Sequence, residues 1–177
     1  MIHMEFLVWL PPLLFILHDM EEIIWALAWK KGEACRKKYL AVGLSPFGSA
    51  QNTAGFAACV YEELLILTAV SLVSLWSGRY GLWYGMVAAN ALHLVLMHIV
   101  GTTAIYRSYV PGLATALLTV GPLVWILVKA AQLLQYGVIE IVGYSLLATA
   151  LMAVNLRLLH RQAARIGAWV ERSMDHV

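Results

Sequence analysis

Charge is scarce in this sequence. Of its 177 residues only 12% are Asp, Glu, Lys or Arg, 62% are hydrophobic, and the mean hydropathy is +0.76. Soluble domains carry about a quarter of their residues as charges, so a water-solvated fold is excluded, and no nucleic-acid partner is expected. Cysteine is scarce too. Cys35 falls in a basic loop and Cys59 in an apolar run, which excludes a disulfide framework or a CxxC metal site and leaves both unpaired and structural. No Lys or Arg precedes the first apolar run, and His18, Asp19, Glu21 and Glu22 interrupt it. That pattern does not fit a cleaved signal peptide, and the segment is expected to stay in the mature protein.

What the sequence does contain is long apolar runs. A membrane-spanning helix needs about 20 mainly apolar residues in succession. Five can be marked, at about 6–29, 53–76, 81–105, 111–134 and 138–160. The expected fold is all-α, a polytopic bundle of about five transmembrane helices within residues 1–160. A basic amphipathic tail, 161–177, either extends the fifth helix or lies on the membrane surface. Ten of the twelve basic residues follow the first, third or fifth run, leaving only Arg79 and Lys129 for the other side. The positive-inside rule then puts the N-terminus out and the C-terminus in. Residues 30–52 form the one sizeable loop. Gly43, Ser45-Pro46 and Gly48-Ser49 mark turns there, and Asn52 or Thr53 caps the second helix.

Ionisable residues at membrane depth are the candidate site. At ~1.5 Å per residue, His18 and His93 lie near the centres of their runs, Glu62 about 5 Å inward of centre, and Glu22 and His98 about 7 Å inward. Glu22 is one turn from His18, so the pair shares a face; Glu21 is about 60° from His18 and can share it as well. Asn90, His93 and Met97 line one stripe of the third helix. His98, five residues beyond His93, is rotated by about 140° on an α-helix and is the weaker partner. An ionised side chain at mid-bilayer costs about 2.5–3.5 kcal/mol, so Glu21, Glu22, Glu62 and Glu63 need compensation. No Lys or Arg occurs at this depth. The compensators left are a bound metal ion, protons on the carboxyls, imidazolium, or a cationic substrate. The plainer reading, polar residues gluing helices together, suits a lone His or Asn better than residues levelled on three helices.

These residues also carry a resemblance. His18-Asp19-Met20-Glu21-Glu22 resembles the motif of the bacterial membrane family named for HXXEE, His93 looks like that family's further His, and Tyr109-Val110-Pro111-Gly112 is similar to its YXPG element. The resemblance implies a multi-pass protein of the bacterial inner membrane, a candidate enzyme with no assigned reaction. Locally, Tyr109 reads as a headgroup-level anchor, Pro111 as a first-turn residue of the fourth helix, and Gly112 as a close-packing position.

Three functions follow from the cluster. The first is a metal-dependent enzyme acting on a lipid-like or other hydrophobic small molecule. Its zinc or iron ligands would be His18, Glu22, Glu62 and His93, with Glu21 or Glu63 carrying protons and Asn90 orienting His93 or substrate. Tyr109, Gly112 and His98 would stand on the substrate side. The second is metal-free acid/base chemistry, for which His18, Glu22, Glu62 and Asn90 are similar in residue type to the site of emopamil-binding-type sterol isomerases. The third is a proton-coupled carrier or metal permease, for which a chain of this size would form a homo-oligomer.

Overall fold

The computed structural model describes residues 3–32 and 47–174, which form a bundle of five helices: α1 Met4–Lys31, α2 Thr53–Ser77, α3 Gly81–Tyr106, α4 Leu113–Leu134 and α5 Val138–Met174. There is no strand among the described residues. Cys35, the basic residues 36–38, the turn residues Gly43, Ser45 and Pro46, and tail residues 175–177 lie outside them.

Helices α2 to α5 are each long and apolar enough to cross a membrane. α1 has the length, 28 residues or about 42 Å, but Asp19, Glu21 and Glu22 interrupt its apolar stretch. The expected spans are present as helices, therefore, with the first set apart by its acidic patch. Asn52 caps α2, its side chain accepting from the Gly55 N–H at 2.8 Å. Residues 161–174 continue α5 without a break and run against the start of α2. There Gly55 meets Ala163 and Gly167 so closely that a Cβ on Gly55 would fall 2.3 Å from the Ala163 carbonyl oxygen. Ser49 fastens the same corner by donating to the His160 carbonyl and accepting from the Ala164 N–H.

Two apolar cores result. One packs Leu7 and Val8 of α1 against Trp83, Val87, Leu123 and Ile126; the other packs Ala26 and Leu27 against Phe47, Phe56, Val60 and Val110. His18, Asp19 and Glu22 lie between them along α1. α3 comes closest to α5 where Gly81 and Gly85 face Tyr144 and Ala148.

α3 departs from α-helical geometry. It is α-helical over Gly81–His93, π-helical over Leu94–Thr102 and α-helical again over Thr103–Tyr106. The π-helical pairing of residues five apart begins just after His93.

Candidate functional site

Helix α1 presents His18, Asp19 and Glu22 to the bundle interior, where each is buried. The i, i+4 spacing brings His18 Nε2 to 3.8 Å from Glu22 Oε1. A second imidazole reaches the same oxygen, with His98 Nδ1 at 3.3 Å. The rings of His18 and His98 stand edge to face, 4.7 Å between centroids. One nitrogen from each and one Glu22 oxygen lie within 4.8 Å of one another, a grouping able to hold a metal ion.

His98 was expected to point away. The π-helical stretch overturns that expectation: its wider turn, which pairs residues five apart, brings His98 back toward the face that carries His93, where the two rings meet edge to face. Their Nε2 atoms are 3.2 Å apart. His98 therefore faces Glu22 with one nitrogen and His93 with the other. His18 is held in the same way, its Nδ1 lying 3.1 Å from Thr115 Oγ1 on α4.

Glu21 leaves this cluster and serves the helix beyond it. One carboxylate oxygen accepts from the Tyr109 hydroxyl at 2.5 Å; the other accepts from the Thr115 hydroxyl at 2.5 Å and the Thr115 N–H at 2.8 Å. An anion at a helix N-terminus gains from both the unpaired N–H groups and the helix dipole. That compensation needs neither metal nor proton. Burial and the bond to Glu21 push the Tyr109 phenol up to about 12.

The connection from α3 to α4 descends into the bundle rather than passing over its end. Val110 and Pro111 are fully buried, and Trp29 donates to the Tyr109 carbonyl. Pro111 lies ahead of α4, not in its first turn as expected; Gly112 is the N-cap, at φ +90°. A Cβ there would sit 2.5 Å from Glu22 Oε1 and 2.7 Å from His98 Nδ1. Glycine is thus required twice, for the left-handed backbone and for the space.

Beside the cluster is a chamber of about 110 Å³, and beside that a larger cleft of about 1300 Å³ between α2, α3 and α5. Asp19, Glu63, His93 and His160 line both. Asp19 Oδ2 is buried and finds no hydrogen-bond partner among the described residues.

The model of a family described as "Protein of unknown function with HXXEE motif" matches residues 9–127, about two thirds of the chain. The chain belongs to this HXXEE family. No curated protein and no solved structure matches it.

The HXXEE motif now has distinct parts. His18 and Glu22 meet His98 in the cluster, while Glu21 ties down Thr115 and Tyr109. Of the other residues singled out, His93 stands behind His98, Gly112 closes the floor, Glu63 lines the chamber, and Asn90 lines the large cleft without reaching the cluster. Glu62 is not brought to His18: it accepts from Asn155 Nδ2 of α5 at 3.1 Å. Asp19, Thr115 and His160 were not singled out. Asp19 carried a signal, as it is one turn from both Glu22 and Phe15 and shares the motif's depth. Thr115 and His160 carried none, because only the packing of α4 and α5 brings them in.

Proposed function

We propose that this HXXEE protein is a membrane-embedded metal-dependent enzyme acting on a hydrophobic small molecule, with His18, Glu22 and His98 as the ligands. The observation that carries this reading is the convergence of three buried ligand atoms, each histidine steadied at its other ring nitrogen. Zinc with ligands at about 2.1 Å sets neighbouring ligand atoms about 3.4 Å apart. The contacts of 3.3 and 3.8 Å to Glu22 Oε1 are close to that, and the two imidazole nitrogens, within 4.8 Å of each other, would draw together by up to about 1.4 Å on binding. Ligating histidines donate their second N–H to an orienting partner. Here His18 would donate to Thr115, which passes its own hydroxyl hydrogen to Glu21, and His98 would donate to His93.

Three ligands fit the pattern of a zinc or iron site that keeps positions open for water or substrate. The ion would supply Lewis acidity and an acidic bound water. Asp19 and Glu63, both lining the passage to the large cleft, would carry protons between the site and the bound molecule. The cleft's apolar walls would take a lipid-like substrate out of the bilayer and away from water.

Asp19 also supports a second reading without metal. A buried carboxyl with an unengaged oxygen facing an apolar cleft is suited to protonate an alkene, the chemistry of the emopamil-binding-type isomerases. We further propose, from the resemblance to bacterial HXXEE proteins, residence in a bacterial inner membrane and, from the distribution of Lys and Arg, a C-terminus in the cytoplasm.

Elemental analysis of detergent-purified protein separates the two. One Zn or Fe per chain is expected, falling to background in His98→Ala while Asn90→Ala retains it. If wild-type protein holds no stoichiometric Zn, Fe or Mn, and its melting temperature ignores each added metal, the metal reading fails. A co-purified apolar lipid and solvent-hydrogen incorporation into it would then favour the second.

A further inference from the structure

We propose that the large cleft binds an anionic amphiphile, its phosphate or carboxylate head at Arg157 and Arg161 and its apolar chain lying between α2, α3 and α5. This rests on the reading of the His18–Glu22–His98 cluster as a reactive site, and adds the class and orientation of its substrate.

The size of the cleft argues first. Pockets for small ligands occupy about 300–1,000 Å³. At about 1300 Å³ this one suits a lipid better. It follows α5 from Ala148 to Arg161, thirteen residues or about 20 Å. That exceeds half of a hydrocarbon core of about 30 Å, so an occupant would reach from one interface past the midplane.

Charge then gives the occupant a direction. Most of the wall is apolar, Ile66, Val70, Met86 and Met152 among its residues, whereas Arg157 and Arg161 lie together at the end that carries the 107–112 connection. Spaced i, i+4, they share a face of α5. Among the described residues neither makes an ion pair or hydrogen bond, and neither neutralises Asp19 or Glu63 deeper in the cleft. Paired guanidinium groups match a planar or tetrahedral oxyanion. The acidic residues at the floor would repel such a head, so it would stay at the rim. The part of the chain next to the head would then lie over His18, Asp19, Glu63 and His93. A neutral lipid would leave the arginines unused, and free phosphate would leave the apolar walls unused.

The full chain in non-ionic detergent tests this by native mass spectrometry, with metal content read on the same sample. The probes are oleoyl lysophosphatidate, oleate and monoolein, which share one chain, and inorganic phosphate as competitor. Either anionic lipid should bind at least about 10-fold tighter than monoolein. R157Q/R161Q should bring its affinity down to that of monoolein, with metal content and melting temperature unchanged, and R157K/R161K should restore most of it. Met152→Trp, which narrows the apolar wall, should weaken all three lipids. Equal affinities in the wild type, a preference that survives R157Q/R161Q, or displacement by inorganic phosphate alone would overturn the proposal. Metal-free protein that keeps the preference would sink the metal reading only, and metal-loaded protein without it would sink this inference only.

Discussion

Glu21 and Glu22 are adjacent, yet they solve the same problem in opposite ways. Glu21 has its charge answered within the protein, by a tyrosine, a threonine and the first turn of α4. Glu22 meets only imidazoles, and its Oε1 finds no hydrogen-bond donor among the described residues. Neighbours on a helix point about 100° apart, so one motif can build a scaffold with one carboxylate and a reactive site with the other. Missing counter-charge in the sequence thus divides into a part that the described residues supply and a part that they do not, which the proposed metal would.

Four variants put that contrast at risk. Glu22→Gln should have the largest effect, cutting metal affinity by more than about 100-fold, beyond what loss of an outer partner does. Dialysis against a chelator series would read it, and retention of stoichiometric metal would show that Glu22 is no ligand. Gly112→Ala comes next: its methyl group would enter the space between Glu22 and His98 at positive φ, a backbone cost of about 1–2 kcal/mol. Its metal occupancy and melting temperature should fall together; a fall in the melting temperature alone would detach the YXPG element from the site.

Glu21→Gln should reverse the order of effects. It weakens bonds to a charged acceptor worth about 1.5–3 kcal/mol each, so the melting temperature drops, while metal affinity falls only about 10-fold through Thr115 and His18. If Glu21→Gln loses metal as fully as Glu22→Gln, the division of labour is wrong. Tyr109→Phe should be mildest, about 1 kcal/mol with metal unchanged, because Tyr109 is half exposed and water discounts its one bond to Glu21 below the value of the buried Thr115 bonds. Its signature is in pH. The phenol is raised in the folded state from about 10 to about 12, so its bond to Glu21 contributes fully below about pH 10 and is lost as pH climbs through 12. Wild-type stability should decline across that window more steeply than that of Tyr109→Phe; parallel curves in thermal melts would contradict the assignment.

Much of this was legible in the residues. Apolar runs locate the helices to within a few residues at most ends, and helical spacing puts His18 and Glu22 on one face. Tyr109 and Gly112 were expected on the substrate side; the fold brings Gly112 against Glu22 and His98, and Tyr109 to Glu21. Between Glu62 and Glu63 depth cannot choose, because the two differ by about one residue's rise but by about 100° in direction; contact with Asn155 decides it. Thr115 and His160 depend on how helices distant in sequence assemble. His98 is the instructive miss, since the arithmetic was sound for an α-helix and the backbone there is not one.

That irregular stretch of α3 also works as a phase shifter. The helix resumes at Thr103 with its angular register set back by roughly the 100° of one added residue, so the chain leaves α3 on a different side from where a uniform helix would release it. The descent of Val110 and Pro111, the reach of Tyr109 to Glu21 and the seat of Gly112 beneath Glu22 all inherit that exit direction. Removing one exposed residue of that stretch, such as Val100, would re-aim all three at once.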